Sequence, residues 1–270
     1  MELLLQSVDR AIDLLFHLHG ERESRGVSEI ARALGLPKST VHRLLRALAR
    51  RGLVEQEAGG RYAPGSRLVA LGLGAQDRDP VVAVARPVLE GEAQALGETV
   101  FLTAPRGEAM VVLDKAEGAG FLRAAPRLGE QVPLHATAVG KLALAFAPER
   151  FALESAGLEG FTERTLRDRE ALRAEVERAR KQGFAENHGE WIEGLSVVAA
   201  PVLLDAPGGG ARRFVAALAV AAATPRLREL GAARVARRTV EAVRRIQARL
   251  GAAPQAKRAV SRRRTESRQL

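Results

Sequence analysis

The chain has 270 residues, 46% hydrophobic and 27% charged, with no cysteine; that length and balance fit one large or two ordinary domains with a real buried core. Disulfides, thiol catalysis, cysteine-based zinc fingers and iron–sulfur clusters are excluded, no apolar run approaches the roughly 18 residues of a membrane span, and Met1-Glu2-Leu3-Leu4-Leu5 lacks the layout of a secretory signal, so a cytoplasmic protein with no membrane partner is expected. The net charge is +10, half of it in the last 20 residues, and residues 30–54 carry six basic side chains and no acidic one, a concentration of one sign that points to a polyanion, nucleic acid first.

In chain order, Ser7 is expected to cap a first helix with Val8, Ala11, Ile12, Leu15 and Leu18 at helical spacing and Gly20 at its end. Ser28 is expected to cap a short second helix that turns Ile30, Ala31 and Leu34 inward and stops at Gly35. Pro37 suits the first turn of a third helix running to Arg51, with Gly52 closing it. Two strand-like pieces then flank Gly59-Gly60, a pair able to take positive φ. Residues 65–79 read as a connecting segment with helix character, broken by Asp79-Pro80, and a helix covers about 81–96. Beyond it the chain is strand-rich, with pieces at Glu98–Ala104, Ala109–Lys115 and Phe121–Ala125. Helices are expected at Thr137–Phe146 and Asp168–Gln182, a central hairpin at 195–204 and 212–222, and one last helix over about 226–250. Residues 252–270 show no apolar periodicity and read as a disordered basic tail that contacts DNA non-specifically or only solubilises.

On the third helix Val41, Leu44, Leu45 and Leu48 share the core face, so Ser39, Arg43, Arg46 and Arg50 point the other way, flanked by Lys38, Thr40 and His42. Such a face suits a helix entering the major groove, where Arg pairs bidentately with guanine while Ser, Thr and Lys hold phosphates. A solvated basic face would give the same local pattern. The order short helix, tight turn, longer basic helix and glycine-tipped hairpin within 40 residues favours a winged helix–turn–helix, with Arg61 on the wing beside the phosphate backbone.

Ser7-Val8-Asp9-Arg10-Ala11, the run Gly35-Leu36-Pro37-Lys38-Ser39-Thr40-Val41-His42-Arg43-Leu44-Leu45, Gly52-Leu53-Val54, and Tyr62-Ala63-Pro64-Gly65 closely resemble the isocitrate lyase regulator (IclR) family. The resemblance continues in Pro133-Leu134-His135-Ala136-Thr137-Ala138-Val139-Gly140-Lys141, from Gly183-Phe184 through Glu190, and from Gly194 to Pro201-Val202. It implies a bacterial transcription regulator of α+β class. Residues 1–64 would form a winged helix–turn–helix domain, 65–80 a linker helix, and 81–251 a GAF-like effector-binding domain built on an antiparallel sheet, with 252–270 as tail. Its partners would be double-stranded operator DNA, a small carboxylic-acid effector and further copies of the chain, as a homodimer or homotetramer. DNA contact would fall to Lys38, Ser39, Thr40, His42, Arg43, Arg46, Arg50 and Arg61.

By the same resemblance the effector pocket lies between the His135–Lys141 segment and the strands carrying Val197 and Ala219. Free backbone N–H groups of Thr137, Ala138, Val139 and Gly140, opening a helix, would hold a carboxylate. The chain departs from the family by Val197-Val198 where a small polar residue or cysteine is common, by Ala219 and Ala221 where serines are common, and by Glu186-Asn187 at the usual acidic position. Such walls would leave the buried oxygens of a small keto acid unpaired, at about 1–3 kcal/mol each. An acid with an apolar or aromatic body against Leu195, Val197, Ala219 and Ala221 is expected, with Asn187 or Arg123 as one further polar contact.

Other chemistry is sparse. His17 and His19 point in different directions from one helix, and His135 is expected to order a loop. Glu186, His188 and Glu190 alternate and would share a strand face, the pattern of a divalent-metal site but more often of a solvent face. No Gly-x-Ser-x-Gly elbow, P-loop or Gly-x-Gly-x-x-Gly after a strand occurs. No enzyme activity, cofactor or metal is expected. The rival readings are a ligand-independent architectural DNA binder with a degenerate pocket and an enzyme built on the GAF-like domain.

Overall fold

The computed structural model describes residues 2–20, 23–76, 79–120, 127–205 and 212–252. The chain packs as two compact units, Met1–Arg78 and Asp79–Leu270, so the 65–76 segment belongs with the first unit. The expected strand at Phe121–Ala125, with Arg123, and the tail beyond Ala252 lie outside the described residues.

In the first unit α1 (Glu2–Gly20), α2 (Val27–Ala33) and α3 (Lys38–Ala49) pack on a three-stranded antiparallel sheet. Its strands β1 (Arg25–Gly26), β2 (Val54–Gln56) and β3 (Arg61–Pro64) run in the order β1-β3-β2. Leu14, Leu18, Ile30, Val41, Leu45, Val54 and Tyr62 form its core. Three sequence expectations need correction. Ser7 lies inside α1, which starts five residues earlier at Glu2. Gly26 caps α2 in place of Ser28, because the Glu29 side chain reaches back to accept the Gly26 N–H at 3.2 Å. Pro37 is the N-cap of α3, one position outside the helix. α2 ends in a Schellman turn. Gly35 takes φ 63°, and Leu36 N–H reaches the Ala31 carbonyl at 3.0 Å. A helix α4 (Ser66–Gln76) follows the wing.

The second unit begins with α5 (Pro80–Leu96), capped by Asp79. Strands β4 (Thr99–Arg106), β5 (Ala109–Ala116), β6 (Gln131–Val132), β7 (Ala185–His188), β8 (Leu195–Leu204) and β9 (Arg213–Ala223) form an antiparallel sheet in the order β6-β5-β4-β9-β8-β7. Helices α6 (Ala138–Phe146) and α7 (Arg169–Gln182) cover one face. Helices α5 and α9 (Ala232–Ala252) cover the other. Central β9 is buried on both faces, which explains its unbroken apolar, alanine-rich text. The single last helix expected at 226–250 is two: α8 (Thr224–Leu230) and α9, separated at Gly231 with φ 80°. The architecture is α+β, with a winged helix–turn–helix and an antiparallel sheet sandwiched by helices.

Candidate DNA-reading helix and effector pocket

Helix α3 buries Val41 and Leu45 and exposes Lys38, Ser39, His42, Arg43, Arg46 and, at its C-cap, Arg50, with Thr40 half-buried. No acidic side chain lies in its first turn and no side chain caps it, so the helix dipole and the basic residues favour a phosphate together. Arg61 behaves differently. Its Nε donates to the Ser24 carbonyl at 2.9 Å and its Nη atoms to both Glu29 carboxylate oxygens at 3.1 and 3.2 Å. The side chain, expected on the phosphate backbone, ties β3 to the start of α2 while remaining 38% exposed. Gly59 and Gly60 form the wing tip with φ 77° and 74°.

Glu29 is held below its ordinary carboxylate value of 4.5, first by the Gly26 N–H and then by the Arg61 side chain. A depressed folded-state value means stability that is present above the unfolded value and lost as pH falls through the folded one. Glu29→Gln is therefore expected to flatten the acid limb of the melting-temperature profile below about pH 4.5. A mutant profile parallel to wild type would contradict this.

In the second unit Thr137 is the N-cap of α6. Its Oγ1 donates to the Pro133 carbonyl at 2.6 Å and accepts the Gly140 N–H at 3.0 Å. Gly140 thus has no free N–H, and its place follows from packing. A Cβ there would stand 2.3 Å from the Leu134 carbonyl oxygen. Among the described residues the amides of Thr137, Ala138 and Val139 stand open at this helix start. Asn187 is likewise committed: its Nδ2 donates to the Ala136 carbonyl, and its Oδ1 accepts Gly189 N–H at 3.1 Å and Glu190 N–H at 3.2 Å.

Thr137, Ala138, Val139, Asn187, Leu195 and Val197 do share one cavity, completed by Phe101, Val132, Trp191 and Ile192. Gly140, Ala219 and Ala221 do not line it. The two alanines pair across strands with Phe101 and Val197, whose longer side chains make the wall. The cavity is narrow, with about 20 Å³ open to a water-sized sphere. A strap at 189–194 lays Trp191 and the half-exposed Ile192 along it. Thr162 and Thr165 hold that strap by hydroxyl bonds to the Gly189 and Glu190 carbonyls at 2.7 and 2.6 Å.

The strap also carries Glu190 onto Lys141. The Lys141 side chain is 1% exposed, with Nζ 2.8 Å from Glu190 Oε1, 3.1 Å from the Glu186 carbonyl and 3.6 Å from Glu175. This buried pair ties α6 to the strap. Its signal is a lone lysine in an otherwise apolar helix, Ala-Val-Gly-Lys-Leu-Ala-Leu-Ala-Phe.

The remaining candidates do not converge. His135 Nε2 lies 2.8 Å from the Glu159 carbonyl and its ring stacks on Phe161 at 5.7 Å, a loop-ordering geometry. His188 meets Glu186 at 3.1 Å while Glu190 turns to Lys141. No cluster of three or more potential metal ligands forms among the described residues, and no helix among them is long and apolar enough to cross a membrane.

A winged helix–turn–helix joined to a sheet-and-helix unit with an apolar cavity defines a two-part DNA-binding regulator. Residues 7–58 match the profile of the IclR helix-turn-helix domain, and residues 74–248 that of the bacterial transcriptional regulator IclR C-terminal domain. The chain belongs to the IclR family of transcriptional regulators. It is 33% identical over 230 residues to the HTH-type transcriptional regulator XynR of Escherichia coli K12, covering 83% of this chain and 88% of that one. An IclR transcriptional regulator from Alicyclobacillus acidocaldarius superposes with TM-score 0.73 at 28% identity, covering 90% and 98% of the two chains. An IclR homologue from Microbacterium hydrocarbonoxydans, complexed with 4-hydroxybenzoate, shares the fold with TM-score 0.74 at 24% identity, over 92% of this chain and all of that one.

Proposed function

We propose that the protein binds operator DNA as a homodimer, or a homotetramer built from such dimers, under the control of an aromatic or other largely apolar carboxylic acid. The observation that carries the effector half is the cavity itself. Its wall is apolar, its Thr137 and Asn187 polar atoms are already paired, and the Ala138 and Val139 amides stand open at a helix start. A carboxylate on those amides with a ring against Phe101, Leu195 and Val197 satisfies both. A ring needs more than the present volume, so binding moves Trp191 and Ile192 outward.

Self-association has its own support. Val8, Ile12 and Phe16 are 54%, 44% and 67% exposed in one stripe on α1, and Val69, Leu71 and Leu73 are exposed on α4. Apolar helix faces of this kind are stable when covered, and a second copy covers them while setting two recognition helices at a fixed spacing. Ligand binding would shift the balance between two such spacings. In this reading Lys38, Ser39, Thr40 and His42 hold phosphates near the helix start, and Arg43, Arg46 and Arg50 face the groove. The rival, an architectural DNA binder without a ligand, predicts that no acid binds.

Calorimetry on the full chain with benzoate, aliphatic acids, glyoxylate and pyruvate in parallel tests the effector. The ring acid should bind, and Leu195→Ala should weaken it about tenfold or more, from the loss of ~1.5–3 kcal/mol of apolar burial against the ring. Tight binding of glyoxylate or pyruvate with none of the apolar acids would refute it.

A further inference from the structure

Helices α7 and α9, on the outside of the second unit, carry their charge in different ways. On α7 each of Arg173, Arg178 and Arg180 pairs with a glutamate three residues earlier, Glu170, Glu175 and Glu177, at 2.9, 2.6 and 2.6 Å. That is a self-neutralised solvent face. Helix α9 holds six arginines, at 234, 237, 238, 244, 245 and 249, against one acid, Glu241. At about 100° per residue Arg234, Arg237, Arg238, Arg244 and Arg245 fall on the side away from the buried row Val235, Ala236, Thr239, Ala242, Val243 and Ile246, with Glu241 among them, and Arg249 stands at the edge of that side. Arg238 and Arg245 converge on the buried Glu92 of α5. Arg234, Arg237, Arg244 and Arg249 are exposed and have no ion-pair partner among the described residues.

We infer that this arginine face of α9 is a second, sequence-independent surface for the phosphate backbone of duplex DNA, separate from the winged helix. Charge complementarity selects the occupant. Unpaired guanidinium groups present planar forks that match phosphate oxygens, where a merely solubilising face is more simply built from the alternating charges seen on α7. Arg234 to Arg249 spans about 22 Å at ~1.5 Å per residue, the length of about six steps of duplex at ~3.4 Å per phosphate along a strand. The face carries no exposed large apolar residue, which disfavours a protein or lipid docking site and fits a wet, salt-sensitive contact.

The test uses the full chain, with residues 253–270 kept in every variant so that the tail's charge is constant. Binding to a random-sequence duplex is titrated across salt concentrations for wild type and for the fourfold exchange Arg234→Gln, Arg237→Gln, Arg244→Gln and Arg249→Gln. The expected result is at least a tenfold loss of affinity at low salt, and a log–log salt slope shallower by about 2–4, since each phosphate contact contributes ~0.9. Lysine at the same four positions should restore most of both. If the fourfold variant unfolds, the single exchanges Arg237→Glu and Arg244→Glu should each weaken binding in the same direction, with a slope shallower by about one. Unchanged affinity and slope in a folded variant would overturn the inference. So would loss of binding to heparin or anionic vesicles with duplex binding intact. Because the duplex carries no operator, failure here leaves the reading of α3 untouched.

Discussion

Lys141→Ala is expected to lower the stability of the second unit by about 3–5 kcal/mol, the usual cost of removing one partner from a buried ion pair. At ~2–4 °C per kcal/mol for a unit of this size, the melting temperature should fall by roughly 6–20 °C. The reason is what remains behind. Glu190 is 8% exposed, its Oε1 relies on the Lys141 ammonium at 2.8 Å, and its Oε2 has no hydrogen-bond partner. Deleting the lysine leaves that carboxylate buried without compensation and loosens the strap bearing Trp191. The paired exchange Lys141→Met with Glu190→Leu removes both charges and should recover most of the loss. A melting curve for Lys141→Ala that overlays wild type would mean that the pair is solvated in solution and does not hold the strap.

The second large effect is on DNA. Arg43 and Arg46 are exposed at the middle of α3, on the side opposite Val41 and Leu45. Alanine at either position is expected to cost about 1–3 kcal/mol on the specific site, which is roughly 5- to 150-fold, with relaxed discrimination at the base it contacts. Lys38→Ala should weaken operator and random DNA alike and reduce the salt slope by about one. Anisotropy titrations of both duplexes at two salt concentrations separate these outcomes. Arg43 and Arg46 variants with full operator affinity and preference would remove α3 from the role of reading helix.

What the sequence made legible was local. The reading helix announces itself because an apolar row at positions 41, 44, 45 and 48 forces the basic residues to the other side, and no acid interrupts them. The start of α6 is legible for the same reason, since Thr137 followed by an apolar run is an N-cap signal. Sequence says less where the partner of a side chain is distant. Arg61 looks like a wing cation until Glu29, 32 residues away, takes its guanidinium. Asn187 looks available until Ala136, 51 residues away, takes its amide. The cavity wall draws Phe101, Val132 and Trp191 from three separate segments, so no spacing rule gathers them. Gly140 resembled part of an anion site, whereas the Leu134 backbone leaves no room for a side chain there. The α8–α9 break was hidden because Gly231 interrupts the backbone without disturbing the helical spacing of apolar residues on its two sides.

If α3 reads operator DNA from a symmetric assembly, selection from a random duplex library should reveal it in the recovered motif. The full-length protein should enrich a two-fold symmetric motif whose half-sites lie about 10 base pairs, or a multiple of that, apart. The Arg43→Ala and Arg46→Ala variants should lose base preference at one or two positions in each half-site while keeping the spacing. Enrichment of no motif, or of the same motif with undiminished preference by both variants, would contradict it.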